Sequence, residues 1–128
     1  MNIQTSEHVL AALVGMEVDN VLIEIDSSEP PIMDGSSKYF VEAIIKAGIK
    51  EQIKERNEYI VKDVISYYDE ESGSDITIIP SKYYEVTTMV DFGTKILGTQ
   101  NATMKSIAEF KTAIADARTF SFLHELET

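Results

Sequence analysis

The sequence predicts an α+β chain, and three observations carry that reading. Apolar residues recur at helical spacing in stretches near 7–16, 36–47 and 106–115. β-Branched and aromatic residues cluster or alternate in others, most clearly 59–68, 75–80 and 84–92. Turn residues such as Asp19-Asn20, Asp34-Gly35 and Glu70-Glu-Ser-Gly-Ser74 separate them. At 44% hydrophobic and 26% charged, the composition is that of a globular chain.

Taken in order, Thr5 or Ser6 can cap a first helix from Glu7 to about Val14, with Gly15 as its stop. Val9, Leu10, Leu13 and Met16 would be its buried stripe. Val21, Ile23 and Ile25 alternate with Leu22 and Glu24, the pattern of a strand. Ser27 to Ser37 is a loop of turn residues anchored by Ile32 and Met33, with a tight turn at Asp34-Gly35. Ser36 or Ser37 can cap a second helix that Gly48 ends; Phe40, Ala43, Ile44 and Ala47 form one of its faces.

The stretch from Lys50 to Asn57 is charged and nearly free of core residues, so a boundary is placed there, dividing the chain into 1–55 and 56–128. Strands at 59–68, 75–80 and 84–92, with turns at 70–74 and 80–82, predict an antiparallel meander. A helix over 106–115 would turn Ile107, Phe110 and Ile114 inward. Ala117 to Phe122 reads as a short strand, and Leu123 onward as the start of another helix.

Several function classes are disfavoured. A net charge of −11 argues against a phosphate backbone as partner, which needs clustered Lys and Arg. No apolar run reaches the roughly eighteen residues of a membrane span. The first residues have neither the basic nor the apolar region of a secretory signal, and cysteine is absent, which suits a reducing cytoplasm.

Three places carry potential chemistry. Glu7-His8 opens the first helix. An imidazole is a common zinc ligand, and a neighbouring carboxylate can take a proton from a water the metal acidifies. Adjacent helical residues diverge by about 100°, so on spacing alone the pair also reads as a surface pair, with Glu7 favouring the helix dipole. His124 is the other histidine of the chain. Phe92 shares a strand face with Val86 and Val90; the pattern favours a core phenylalanine over a stacking platform for a base. Thr119 sets a hydroxyl among aromatics. It can donate to a developing oxyanion, although its pattern is that of a half-buried strand.

Together, three stretches resemble one family. Thr5-Ser-Glu-His-Val-Leu-Ala-Ala-Leu13, followed by Asp19-Asn20, resembles the first metal-ligand segment of the UDP-3-O-acyl-N-acetylglucosamine deacetylases. Glu29-Pro-Pro-Ile-Met-Asp-Gly-Ser-Ser37 resembles the loop that follows, and Ala117-Arg-Thr-Phe-Ser-Phe122 resembles the insert motif of the second domain. The order and spacing agree along almost the whole chain, and the sequence also resembles the branch of the family fused to a 3-hydroxyacyl-[acyl-carrier-protein] dehydratase.

The resemblance implies a cytoplasmic zinc amidase of lipid A synthesis that removes acetate from UDP-3-O-acyl-N-acetylglucosamine. It implies two similar α+β domains, of which 1–55 and 56–128 would each be an incomplete copy built of a small sheet and helices. It also implies a role for each matching position: His8 a zinc ligand, Glu7 the general base, Thr119 the hydroxyl that polarises the acetyl oxygen. Phe120 would lie near the acyl passage, Phe92 would stack on uracil, and Asp34 would be an acidic loop residue close to the site. Two further zinc ligands, a His and an Asp on a later helix, and a catalytic lysine and histidine would lie beyond Thr128. The chain alone is then expected to be an inactive internal fragment that holds no zinc tightly and self-associates through uncovered apolar faces. Two positions depart from the family pattern: Ser121 stands where Gly is usual, and Ser74 near where many members carry a lysine for the pyrophosphate. The alternative is a non-catalytic binding or interaction domain that retains the fold; a third reading is an acidic structural partner.

Overall fold

In a computed structural model, which describes residues 2–120, the first helix α1 spans Glu7–Gly15. Ser6 occupies its N-cap without a side-chain cap bond, and the Thr5 hydroxyl donates instead to Glu29 Oε2 at 2.9 Å. With Gln4 N–H donating to Ser28 O at 2.9 Å, this folds the loop 26–29 back over the start of α1. The buried stripe differs from the expected one. Ala12 and Gly15 are buried, and Ala11 and Met16 pack beside them, whereas Leu10 is exposed. Small side chains face the core because another element approaches closely there. A Cβ on Gly15 would sit 2.0 Å from Phe110 Cδ1, so this glycine is the seat of a ring as well as the last residue of the helix.

The second helix, α2, spans Lys38–Ala47 and ends at Gly48, whose φ of +80° suits glycine. It buries Val41, with Phe40 and Ile44 packed alongside; Ala43 and Ala47 are exposed, so the inward face is rotated from the expected one. The two helices pack on each other. Between them Val21–Ile25 is not a strand. A strand exists through the hydrogen bonds of a partner, and none of the described residues supplies one.

Beyond the charged stretch the chain makes two hairpins. β1 (Ile65–Asp69) pairs antiparallel with β2 (Ser74–Ile78), and β3 (Val86–Asp91) with β4 (Thr99–Met104). Each forms its own two-stranded sheet, so the expected three-strand meander is corrected: β2 does not pair with β3. β4 was not anticipated, because Thr99-Gln-Asn-Ala-Thr-Met104 is weak strand material that forms only against β3. Strand β1 is also shorter than expected, beginning at Ile65 rather than near Tyr59.

The expected helix over 106–115 is a 3₁₀ turn, Ile107–Glu109, followed by a π turn, Phe110–Ile114, closed by Ala115 N–H to Phe110 O at 2.8 Å. Its inward residues are as read: Phe110 is buried, and Ile107 and Ile114 pack against the core. Ala12, Val41, Met104, Phe110 and Ala115 form that core, which draws on both sides of the charged stretch. The molecule exposes 11295 Å², against about 6,800 Å² for a compact monomer of this mass. Residues 117–120 are irregular rather than strand. Ser121, Phe122, His124 and the helix expected from Leu123 lie outside the described residues.

Candidate functional site

The loop between α1 and α2 is held by its own side chains. Gly35 N–H donates to Ile32 O at 2.9 Å, closing the expected tight turn with Gly35 at φ +79°. Asp34 Oδ1 accepts from the Ser36 hydroxyl at 2.7 Å and from the Ser36 amide at 3.2 Å. Asp34 Oδ2 faces the Arg118 guanidinium at 3.4 Å. The Ser36 hydroxyl, then its amide and the Arg118 charge, hold the Asp34 carboxyl below its ordinary value despite partial burial.

This loop touches both of the other motifs. Ser37 does not cap α2 with its side chain; its hydroxyl donates to the carbonyl of His8 at 2.9 Å. On the other side, Thr119 N–H donates to Gly35 O at 2.8 Å. The Thr119 methyl lies 3.4 Å from where a Gly35 Cβ would be. The next residue, Phe120, meets Phe92 edge to face, with centroids 4.9 Å apart and planes at 66°. Phe92 follows β3, where its N–H donates to Gly98 O at 3.1 Å.

His8, Asp34, Thr119, Phe120 and Phe92 are therefore linked through direct contacts or chain neighbours, although they are spread over more than one hundred positions. Glu7 is exposed beside His8 on the first turn of α1. The sequence suggested Ser36 or Ser37 as the cap of α2 and gave Arg118 no task. Nothing in a single sequence marks Asp34 and Arg118 as a pair.

The His8 ring suits a metal ligand in one respect. Its Nε2 is buried and has no hydrogen-bond partner among the described residues. A buried imidazole nitrogen without a partner loses its water for nothing unless another group takes the lone pair. Among the described residues no cluster of three His, Cys, Asp or Glu side chains accompanies it.

Two concavities lie elsewhere. An open groove runs between Val18–Val21 and 44–58, where Arg56 bonds Asp19 at 2.8 Å. An apolar cleft of about 240 Å³ lies between α1, the β3–β4 hairpin and the 107–114 turn. Neither is lined by His8, Asp34, Thr119 or Phe92. No described helix is long and apolar enough to cross a membrane.

Comparison with known proteins gives a consistent set. Residues 1–128 match the family described as LpxC: UDP-3-O-acyl N-acetylglycosamine deacetylase. The chain is 39% identical to a Chlorobaculum tepidum protein named bifunctional enzyme LpxC/FabZ, over 99% of this chain and 27% of that protein. It is 36% identical to a Bacteroides thetaiotaomicron protein of the same name, over 99% of this chain and 28% of that one. A Syntrophotalea carbinolica protein named UDP-3-O-acyl-N-acetylglucosamine deacetylase is 38% identical, over 99% of this chain and 41% of its own length. The chain thus spans well under half the length of these relatives.

Proposed function

The chain belongs to the UDP-3-O-acyl N-acetylglycosamine deacetylase family, and from that premise we propose that it is part of a zinc-dependent amidohydrolase removing acetate from UDP-3-O-acyl-N-acetylglucosamine in lipid A biosynthesis. The observation that carries the reading is the buried Nε2 of His8, without a hydrogen-bond partner among the described residues, on a residue whose carbonyl Ser37 ties to the loop that also holds Thr119.

His8 Nε2 would be one ligand of the zinc. When bound, such a zinc polarises a carbonyl and acidifies a water. Glu7, next to the ligand and open to solvent, takes the proton as general base. The Thr119 hydroxyl donates a hydrogen bond where negative charge gathers on the acetyl oxygen. Phe92 stacks on uracil, away from the reacting bond. Phe120, in edge contact with it, borders the acyl chain. Asp34 keeps its negative charge beside Thr119.

Catalytic zinc usually takes three protein ligands, and this chain has two histidines and no cysteine. The remaining ligands come from the rest of a longer parent, and the isolated chain is inactive. Within that parent, 1–55 is the end of one α+β domain and 56–128 the beginning of the next. A cytoplasmic location suits the cysteine-free composition.

The test is zinc content and turnover of the full-length parent with His8→Ala. Loss of both is expected. A variant that kept stoichiometric zinc would remove His8 from the ligand set, and a wild-type parent without amidase activity would favour the binding-domain alternative.

A further inference from the structure

We propose that Arg118 is a positioning residue, which grips Asp34 and so fixes the segment carrying Thr119 against the loop that supports His8. The proposal rests on the reading of Thr119 as the oxyanion donor.

Thr119 lies in irregular chain, where no helix or sheet ladder sets its direction. Among the described residues the segment is tied down by the edge contact of Phe120 with Phe92, by Ala117 N–H to Ile114 O at 2.9 Å, by Thr119 N–H to Gly35 O at 2.8 Å, and by Arg118 to Asp34 at 3.4 Å. The last two hold Thr119 to the loop from the backbone and from the neighbouring side chain. One hydrogen bond to the loop leaves the segment free to pivot about that bond; a second attachment to the same loop restricts the pivot.

The anchor is itself fixed. Asp34 Oδ1 is taken by Ser36, which leaves Oδ2 for Arg118, and the Asp34 side chain is only 19% exposed. Gly35 suits the turn that brings the two segments together, since its φ of +79° disfavours a side chain there, and the Thr119 methyl lies at ordinary contact distance, 3.4 Å, from where a Cβ would be. Ser37, three residues past Asp34, holds the His8 carbonyl. A shift of Arg118 is therefore a shift of the Thr119 hydroxyl relative to His8.

Arg118 is 68% exposed, so its ion pair adds little to stability. Catalytic geometry is far more sensitive, since a misplacement of about 1 Å can cost about 10²-fold in rate. That contrast separates a positioning role from a merely structural one.

The experiment uses the full-length parent enzyme with Arg118→Ala, Arg118→Lys, Asp34→Asn, the Arg118→Ala/Asp34→Asn double variant and Thr119→Val. Arg118→Ala should lower kcat about tenfold, with KM, zinc content and melting temperature unchanged. Lysine should restore part of the loss, and the double variant should be no slower than the slower single variant. A wild-type kcat for Arg118→Ala beside a slow Thr119→Val overturns the proposal, as does a loss confined to zinc content or KM, or losses that add in the double variant. A wild-type kcat for Thr119→Val overturns the underlying reading instead.

Discussion

Replacing Gly15 by alanine adds one methyl group, and the structure says where it lands. The new Cβ would lie 2.0 Å from Phe110 Cδ1, 2.3 Å from Cγ and 2.6 Å from Cε1. The ring cannot swing away freely, because Phe110 is 7% exposed and packs with Ala12, Val41, Met104 and Ala115. Overpacking of this kind costs about 1–3 kcal/mol. Against it stands the helix preference for alanine over glycine, up to about 1 kcal/mol and less at a helix end. Gly15→Ala should therefore destabilise the chain by about 1–2 kcal/mol. In a Phe110→Ala background the obstructing ring atoms are gone, and the same substitution should become stabilising by a fraction of a kcal/mol to about 1 kcal/mol. Urea titration of the four proteins, followed by far-ultraviolet circular dichroism, measures both numbers. If Gly15→Ala were as stable as the wild type, or the sign did not reverse without the ring, the account of Gly15 as the seat of Phe110 would be wrong.

Other expectations follow from the site. In the full-length parent, Glu7→Ala should lower kcat by about 10²–10⁴-fold with zinc content unchanged, as for loss of a general base; unaltered kcat would refute that role. Phe92→Ala should mainly raise KM, because stacking on uracil stabilises bound substrate and transition state alike; steady-state kinetics that showed a fall in kcat at constant KM would contradict it. The Asp34 carboxyl lies below its ordinary 3.8 in the folded chain, so its contribution to stability is present above that pH and is lost as pH falls through the lowered value. Acid titration should show Asp34→Asn reducing that dependence, and an unchanged curve would mean the Ser36 and Arg118 contacts do not hold the charge. The excess of exposed surface predicts concentration-dependent association of the isolated chain by light scattering, whereas a clean monomer at high concentration would speak against it.

Several local features of the candidate site could be read from residue order. Glu7-His8 at a helix start, the Asp34-Gly35 turn and the Thr119-Phe120 pair are local features with local causes, and the structure places them in one connected group. The inward set Ile107, Phe110 and Ile114 was legible for the same reason: spacing along a turn governs which side chains share a face. Periodicity alone did not separate an α-helix from the 3₁₀ and π turns found there, since all three bring these residues to one side.

The misreadings share a cause. Val21–Ile25 has strand composition and no partner among the described residues, while Thr99–Met104 has poor strand composition and pairs from Val86↔Met104 to Asp91↔Thr99. Likewise the buried face of α1 is its small residues, because Phe110, ninety-five positions away, takes the space where larger ones were expected. Composition, capping and period determined the α+β class, the helix positions and the family motifs, because each depends on neighbours in the chain. Tertiary structure alone decided which strands exist, which helix face is buried, and that Arg118 meets Asp34 while Ser37, three residues on in the same loop, meets the His8 carbonyl. Those outcomes depend on partners far along the chain, and the energy of a ladder, an ion pair or a seated ring is realised only when both sides meet.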